Sequence, residues 1–494
     1  MTSILTNTSA MVALQTLKSI NSNLQGVQNE ISTGKTISSA KDNSAIWAIS
    51  KVMESDVAGF NAISDSLSLG ESTVAVARQG AETVTDLLKD IKSKVVAAQE
   101  ENVDRSKIQT DIKALRDQIS SVVGAAQFNG LSMLTGTADV NVLSSLDRSG
   151  DGTVAASNIT ISRQDLSTSA GTFGTGTDLS ANSTASAASV TNAGNTAVLT
   201  LAADADVSTN GYSLTVGGTT VSFASGDLTG DQDAAATAIS GAINALGLEG
   251  VTAGVSGAAI TITSTRAFEA VDVSATKDGA AIAFGGAATE IGERAENITF
   301  SASANVNEGD GYKAIVGGTT FSYIAGKNEN FGDVANGLKA AIDAGGVTGI
   351  STQVTTNSSG QAVLKIDNSS VSAATLSESG AAGGEASGGL FGLGGIDVST
   401  NAGADAALAN IEVLINTSID AAANFGSAQG RIETQNNFIG KLTDSLKAGI
   451  GSMVDADMEA ASARLQALQV QQQLGVQALS IANQAPQSVL SLFR

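Results

Sequence analysis

The chain lacks two residue types that many catalytic and metal-binding sites use. It contains no cysteine and no histidine among its 494 residues. The first absence excludes disulfides and thiolate sites, and the second removes the commonest general base and a frequent metal ligand. Aromatic residues make up only 3% of the chain, and the single proline is Pro486. Hydrophobic cores must therefore be built mainly from Leu, Ile, Val and Ala.

Positive charge is also scarce. The chain has 26 Lys and Arg against 48 Asp and Glu, for a formal net charge of −22, and most of that charge lies between residues 141 and 400. Acidic surfaces repel nucleic acid and anionic membranes, so we expect neither as a partner. No apolar run approaches the ~18 residues of a membrane span. No Lys or Arg precedes Lys18, so no cleavable signal peptide is expected.

Both ends of the chain carry heptad seams, in which apolar or small residues recur at steps of three and four. The N-terminal seam runs from residue 10 to Gly34, which marks the expected helix stop. Its positions are Ala10, Ala13, Leu17, Ile20, Leu24, Val27 and Ile31. The C-terminal seam lacks large apolar side chains at two positions, Gln472 and Gly475. Its positions are Met458, Ala461, Leu465, Leu468, Gln472, Gly475, Leu479 and Ala482.

Longer helical stretches follow inside these seams. Residues 43–101 and 404–450 are expected to form long helices, and a third helix opens at Asp104 and ends near Asn129-Gly130. A helix of ~55–60 residues extends roughly 85 Å, so partner helices must run beside it. The fold class expected is a mainly α core of long antiparallel helices, a coiled-coil rod formed by both termini, with an inserted α+β, β-rich outer region.

The middle of the chain changes texture and contains an internal repeat. Val216-Gly217-Gly218-Thr219 recurs as Val316-Gly317-Gly318-Thr319, and each Gly-Gly predicts a hairpin turn. Each copy continues into an Ala-rich helix, near 233–246 and 333–344, and then into alternating strands. We interpret this as a ββα-ββ module used twice, at about 195–285 and 295–370. The glycine-rich stretch 380–395 is expected to be a loop or linker.

Three short motifs mimic chemical sites and are interpreted as structural. Gly34-Lys35-Thr36 resembles the end of a P-loop, but Asn29 stands where its first glycine should be. Ser38-x-x-Lys41 lacks the other signatures of serine hydrolases. The Asp147–Gly152 stretch begins like a calcium loop, but Asn158 occupies the position that requires Glu. No cofactor, metal or catalytic residue is therefore expected.

Motifs at both ends resemble those of bacterial flagellins, in the same order. At the N-terminal end they are Ile31-Ser32-Thr33-Gly34-Lys35, the stretch 37–43 and Phe128-Asn129-Gly130. At the C-terminal end they are Arg431-Ile432-Glu433 and the stretch 485–494. The resemblance covers about residues 1–140 and 405–494.

This resemblance implies a structural subunit that polymerises with itself into the flagellar filament for swimming motility. Residues 1–42 with 453–494 would form a terminal coiled-coil domain that lines an inner tube. Residues 43–140 with 400–452 would form the long-helix domain, and residues 141–399 would be a surface-exposed variable insertion. The resemblance also implies export outside the cell through the flagellar type III apparatus. The implied partners are an export chaperone, the filament cap and hook-associated proteins.

The seams and the apolar tail are the expected subunit interface. Isolated amphipathic helices of ~25 residues are marginal in water, so we expect them to fold on docking with neighbouring copies. Packing within one chain is the alternative interpretation of the same pattern. The expected interface residues are Leu17, Ile20, Leu24, Val27, Ile31, Leu465, Leu468, Leu479, Val489, Leu490, Leu492 and Phe493.

A receptor-binding region departs from the family pattern. Flagellins sensed by the animal toll-like receptor carry Arg, Glu and Leu on the first long helix, and here Asp90, Ser93 and Lys94 stand at those positions. Charge reversal at an interface weakens binding, so the chain is expected to be a weak receptor agonist. Three other functions stay open at this point: a hook–filament junction protein, an adhesin displayed by the repeats, and a secreted enzyme that uses Asp or Glu.

Overall fold

The computed structural model describes residues 7–149, 153–204 and 206–491, and the side chains up to residue 484. The fold class is confirmed: long helices at both ends of the sequence flank a β-rich central region. The helices in this part of the chain are α1 (Thr8–Thr33), α2 (Ser44–Ala97), α3 (Arg105–Ala125), α4 (Gln232–Ala245), α5 (Phe331–Ala344), α6 (Asn401–Val454) and α7 (Met458–Ser491).

Helix ends follow the expected capping chemistry. The side chain of Asn7 accepts a hydrogen bond from the Ala10 backbone N–H and begins α1. Gly34 ends α1 in the left-handed conformation, with φ of 67°, which confirms the predicted stop. Asp104 caps α3 by accepting from Lys107 N. The turn after α3 is at Asn129 and Gly130, both with positive φ. These local signals fix the helix boundaries.

The strands are mostly short and pair antiparallel. They are β1 (Gln127–Phe128), β2 (Leu131–Ser132), β3 (Val140–Arg148), β4 (Val154–Ile161), β5 (Ser183–Ala185), β6 (Ser189–Val190), β7 (Asn195–Thr200), β8 (Tyr212–Val216), β9 (Thr219–Phe223), β10 (Val251–Ser256), β11 (Ala259–Ser264), β12 (Val271–Lys277), β13 (Ala280–Ile282), β14 (Glu290–Ile291), β15 (Glu296–Phe300), β16 (Gly311–Val316), β17 (Thr319–Ile324), β18 (Ile350–Thr356), β19 (Ala362–Asn368) and β20 (Ala374–Ala381).

The chain divides into two compact units, and the first contains both ends of the sequence. It comprises residues up to 72, residues 141–161 and residues from 428 onward. Here α1 packs against α7, and residues 44–72 of α2 run antiparallel to the last part of α6, where Ser64 donates a hydrogen bond to Asn436 at 2.7 Å. The β3–β4 hairpin belongs to this unit, whereas the sequence division places residues 141–161 in the insertion.

The second unit comprises residues 73–140 and 162–427. Residues 73–97 of α2 pack against α6, and the hydroxyls of Thr85 and Ser418 hydrogen-bond at 2.9 Å in their buried interface. Helix α3 lies beside α2, where Lys94 forms an ion pair with Asp111 at 2.7 Å. Apart from Phe425, the core of this helical part is built from Val, Leu, Ile and Ala.

The two repeats fold as related modules within the second unit. In the first module, α4 packs with the sheets β10-β11-β7 and β13-β12-β8-β9. In the second, α5 packs with the sheets β18-β19-β15-β5 and β17-β16-β20-β6. Each module has its own hydrophobic core, and the second contains an aromatic cluster of Phe300, Tyr312 and Phe331.

The predicted hairpins are confirmed, but the predicted module was incomplete. Both Gly217-Gly218 and Gly317-Gly318 have positive φ at the two turn positions and set the registers Val216↔Thr219 and Val316↔Thr319. The ββα-ββ interpretation omitted strands that begin and end each module, namely β7 and β12 in the first and β15 and β20 in the second. Those strands complete the sheets by pairing with β11, β8, β19 and β16.

The glycine-rich stretch is a loop after residue 381, as one of its two interpretations predicted, but it is tightly packed and is not a linker. Strand β20 extends to Ala381, and the residues that follow pack closely against other backbone. A Cβ on Gly388 would lie 2.1 Å from the carbonyl oxygen of Ser167, and Leu390 and Leu393 are fully buried. Here glycine serves close approach of two chain segments rather than flexibility.

Candidate assembly surface

The two terminal seams face each other within the first unit. Helices α1 and α7 run antiparallel, since Asn7 donates a side-chain hydrogen bond to Ala482 O while Ala456 N donates to Gly34 O. On α1, Val27 is buried and the other seam positions are partly buried. On α7, Ala461 is buried and positions 465 to 482 of the seam are partly buried, whereas Met458 is exposed.

The two weak positions of the C-terminal seam fit specific partners on α1. Gln472 Nε2 donates to Asn21 Oδ1 at 2.7 Å. Gly475 lies against Leu17 and Ile20, and a Cβ there would be 3.3 Å from Leu17 Cδ1. A polar pair in a seam fixes its register, and a glycine gives room to larger facing side chains. The two positions of the α7 seam that lack a large apolar side chain are therefore matched to the residues of α1 that face them.

A short backbone bridge closes the base of this helix pair. Thr36 N donates to Val454 O at 2.8 Å, and Thr36 Oγ1 donates to Asp455 O at 3.1 Å. Lys35 and Asp455 form an isolated antiparallel bridge. The end of α1 and the beginning of α7 are thus joined directly, although more than 400 residues separate them in sequence.

The next connection, between α1 and α2, is organised by one carboxylate. Asp42 Oδ2 accepts from the backbone N–H and the hydroxyl of both Ser38 and Ser39. Hydrogen bonds from the backbone and side chain of Ser39, with weaker ones from Ser38, lower the pKa of the Asp42 carboxyl. Ser38 is therefore bonded to Asp42, which accounts for the hydrolase-like spacing as a turn. Lys35, of the P-loop mimic, pairs with Glu54 at 3.5 Å.

A second apolar stripe on α7 remains uncovered. We call Val470, Leu474 and Ile481 the outer stripe; they are spaced four and seven residues apart, and 55%, 58% and 69% of their surfaces are exposed. At 100° per residue they lie on the side of α7 away from the seam. Sequence reasoning missed this stripe, although its spacing was visible. Other large exposed apolar side chains on this helix pair are Met11, Val12, Leu14, Met458 and Val476.

The apolar tail lies beyond what the structure describes. Val489 and Leu490 are in the last turns of α7, whose side chains are outside the described part, and Leu492 and Phe493 are outside the described residues altogether. Their role in subunit contacts therefore stays a prediction. Asp151 of the calcium-loop mimic also lies outside the described residues. Within the described residues, no group of three or more acidic side chains is arranged to hold a metal ion.

The receptor-region residues lie on one surface of α2. Asp90 and Ser93 are exposed, and Lys94 pairs with Asp111 of α3. Nearby, Lys92 pairs with Glu412 of α6. The predicted receptor region therefore carries both signs of charge: its two lysines form ion pairs with α3 and α6, and Asp90 is exposed to solvent. None of the helices in the described part of the chain combines the length and apolarity that crossing a bilayer needs.

Comparisons with known proteins identify the helical ends. Residues 4–139 match the bacterial flagellin N-terminal helical region, and residues 408–493 match the bacterial flagellin C-terminal helical region. Flagellin A of Rhizobium meliloti is 32% identical over 502 residues, and the alignment covers all of both chains. The chain belongs to the flagellin family. Flagellin FljN of Caulobacter vibrioides is 43% identical over 163 residues, which cover 32% of this chain and 59% of that one.

Family membership gives the function of this flagellin as a structural subunit of the flagellar filament, which serves motility. Flagellins are structural proteins, in agreement with the expectation that the chain is no enzyme. The solved structure of flagellar hook associated protein-3 from Legionella pneumophila aligns with 82% of this chain and 98% of its own. The sequence identity of the two chains is 9% and the TM-score is 0.33.

Proposed function

We propose that this flagellin polymerises by burying the exposed apolar surface of the α1–α7 pair against the same pairs of neighbouring copies. The observation that supports this is the concentration of exposed apolar side chains on the two helices. Among the described residues, eight of the seventeen strongly exposed large apolar side chains lie on α1 and α7, which contain only 26 and 34 residues. A surface of this kind marks an interaction site.

The energetics favour docking between copies over further burial within one. The seam residues are already partly covered by the partner helix, and among the described side chains only one residue on each helix is buried. Complete burial of a Val, Leu or Ile contributes roughly 1.5–3 kcal/mol. The three side chains of the outer stripe alone would therefore contribute several kcal/mol on docking. A contact between different faces of successive copies generates a helical filament when its rotation does not close a ring.

The terminal pair, residues 1–42 with 453–494, would line the interior of this filament. Residues 43–140 with 400–452 would form the next shell, and residues 141–399 would face outward, where their negative charge keeps neighbouring insertions solvated and apart. The filament lies outside the cell, and the subunit reaches it through the flagellar type III apparatus without signal cleavage. The same apolar surface of the terminal helices would bind an export chaperone before assembly. At the ends of the filament it would bind the filament cap and hook-associated proteins.

A second part of this proposal concerns recognition by animals. Relative to flagellins sensed by the toll-like receptor, Asp90 reverses the charge of the Arg, Ser93 removes the charge of the Glu, and Lys94 places a charge where Leu is expected; Asp90 and Ser93 are exposed on α2. The chain would therefore be a weak agonist of that receptor. The exposed position of Asp90 supports this, because a carboxylate there would meet a receptor surface complementary to arginine.

Substitution of the outer stripe tests the assembly proposal. The full chain with Leu474→Gln and Ile481→Gln keeps good helix formers on α7 and leaves every seam residue unchanged. We expect the critical concentration for filament growth to rise at least tenfold, since each ~1.4 kcal/mol of lost contact energy is a factor of ten. Sedimentation and electron microscopy of the purified protein at rising concentration measure this.

The matched control is Val371→Gln, because Val371 is 92% exposed but lies in the turn between β19 and β20 of the second module. It should leave the critical concentration unchanged. Circular dichroism should show equal helix content in all three proteins. Filaments that grow from the double variant at the wild-type critical concentration would refute the role of the outer stripe.

A further inference from the structure

A buried amine, a carboxamide and a carboxylate meet where the second module packs against α6. Lys339 and Asp343 lie one turn apart on α5, and Asn410 lies on α6. Lys339 Nζ donates to Asn410 Oδ1 at 2.7 Å and to Asp343 Oδ2 at 2.7 Å. Asn410 Nδ2 donates to the same Asp343 oxygen at 3.1 Å. One carboxylate oxygen thus contacts both the amine and the amide nitrogen.

These groups are shielded from water. The side chains of Lys339 and Asp343 are only 7% and 8% exposed, and Asn410 is partly buried. Thr352 donates its hydroxyl to the second oxygen of Asp343 at 2.5 Å, which holds the carboxylate in place. Lysines are almost never fully buried unless they are paired, and Lys339 is held by both Asp343 and Asn410. The site therefore has the parts of an acyl-transfer reaction: a nucleophile, an acyl carbon and a proton carrier.

The reacting atoms are near attack distance. The carbonyl carbon of Asn410 lies one C=O bond, about 1.2 Å, from the oxygen that accepts from Lys339. Nζ is therefore at most roughly 3.9 Å from that carbon, close to the ~3–3.5 Å of a near-attack arrangement. Such positioning within one folded chain can replace an external enzyme, because the effective concentration of the amine is very high.

We propose that Lys339 and Asn410 form an intramolecular isopeptide bond after folding, with Asp343 as the catalytic proton carrier. Asp343 takes a proton from the Lys339 ammonium, and the amine lone pair then forms a bond to Cγ of Asn410. Asp343 passes the proton to Nδ2, the Cγ–Nδ2 bond breaks, and ammonia leaves. The second proton released from Nζ leaves through Asp343 with the ammonia. Overall, an ammonium and a carboxamide give a secondary amide and an ammonium ion, so atoms and charge balance.

The surroundings provide an exit for the leaving group. A cavity of about 210 Å³ adjoins the site, lined by Asn410 and Ala340 together with polar side chains such as Asn336 and Thr417. A polar cavity of that size holds water and accepts ammonia. The resulting bond would tie helix α5 of the second module covalently to α6. This inference is independent of the assembly proposal, because neither α1 nor α7 takes part.

Peptide mapping of the purified full chain tests the bond. Trypsin cleaves after Lys327, Lys339, Lys365 and Arg431, so an unlinked chain yields separate peptides 328–339, 340–365 and 366–431. The linked chain should instead yield one branched product, 328–365 joined to 366–431, with the cut after Lys339 blocked. The intact protein should be lighter than its sequence mass by one ammonia. Separate peptides and a full sequence mass for the wild type would overturn the proposal.

Two variants make the result specific. Lys339→Met fills the buried site without an amine, and Asp343→Asn keeps the shape of the acid but removes the proton carrier. Both should show the full sequence mass and no branched peptide. Mapping is needed because a succinimide at Asn336-Gly337 also loses ammonia, but it leaves the cut after Lys339 open. A branched peptide that persists in the Asp343→Asn protein would overturn the role of Asp343.

Discussion

Gln472 donates a hydrogen bond from Nε2 to Oδ1 of Asn21 across the α1–α7 pair, at 2.7 Å. The two residues are 451 positions apart, and both are partly buried in a seam otherwise made of small and aliphatic side chains. A polar contact at such a position gives less stability than a leucine pair but specifies the register. Because the register decides which apolar residues stay outside, this contact positions the outer stripe.

Asn21→Ala should loosen the terminal helix pair. The lost hydrogen bond costs about 0.5–1.5 kcal/mol, so hydrogen exchange in peptides from α1 should speed up roughly two- to tenfold in the monomer. The matched control is Asn23→Ala, at an exposed position of the same helix. Both changes bring the same gain in helix propensity. Equal exchange rates in the two variants would show that the Gln472 contact contributes nothing.

Gly70 and Val142 should show strong energetic coupling. A Cβ on Gly70 would lie 2.7 Å from Val142 Cγ1, so β3 can approach α2 only because position 70 lacks a side chain. Gly70→Ala gains up to ~1 kcal/mol in helix propensity but overpacks this contact at a cost of about 1–3 kcal/mol. Gly70→Ala with Val142→Ala removes the clash, so the double variant should be more stable than the sum of the single changes predicts.

Urea unfolding of the monomeric single and double variants measures this coupling. Gly440→Ala is the control, because no heavy atom outside its own helix backbone lies within 4 Å of its added Cβ, and it should only gain stability. Additive effects of the Gly70 and Val142 changes would mean that the hairpin moves away from α2 at no cost.

Local signals in the sequence were sufficient for the helix ends and the tight turns. Gly34 and the Gly217-Gly218 turn were predicted because each requires a backbone conformation that other residues avoid. The terminal seams were predicted because a heptad pattern is visible in one segment alone. These features depend on residues a few positions apart.

Features that depend on distant partners were missed. Glycine-rich residues 382–392 look the same in sequence whether they are flexible or packed, and only the contact of Gly388 with Ser167 decides. From the sequence alone, Gln472 and Gly475 only weaken the apolar pattern of the seam. The structure shows that they contact Asn21 and Leu17 of α1. The Lys339–Asp343–Asn410 site likewise joins residues of two separate helices, and no spacing rule brings Asn410 to α5.

Asp90→Arg should increase receptor activation. The substitution restores the basic residue that the flagellin pattern carries, on a surface that the structure leaves exposed. Removing a charge reversal at an interface should raise potency several-fold in a toll-like receptor reporter-cell assay. Glu100→Arg, the same change of charge at another exposed position, is the control and should have no effect. A wild-type protein already active in the nanomolar range would contradict the proposal.

Glu329 should make the second unit more stable in acid than at neutral pH. Its carboxyl is partly buried beside Tyr323, whose hydroxyl donates to both carboxyl oxygens at 2.9 and 3.0 Å. Desolvation is the largest cause that raises its pKa from the ordinary 4.5, and the negative charge of Asp333 adds to it. The cavity that Glu329 lines also has four other charged side chains in its wall, namely Lys327, Arg163, Asp165 and Asp420. Burial likewise raises the pKa of the Tyr323 hydroxyl, so it stays a donor throughout this range.

The sign of the pH effect follows from linkage. Because the pKa of Glu329 is higher in the folded chain, its favourable contribution is complete below pH 4.5 and is lost as pH rises through the folded value. Glu329→Gln stays neutral and keeps a carbonyl that accepts from Tyr323. Urea unfolding should therefore show similar stabilities at pH 4 and a more stable variant at pH 7. Glu308→Gln, at an exposed carboxyl, should show no such divergence. A Glu329→Gln protein that is less stable than wild type at pH 7 would mean that the ionised carboxylate is the form that the fold stabilises.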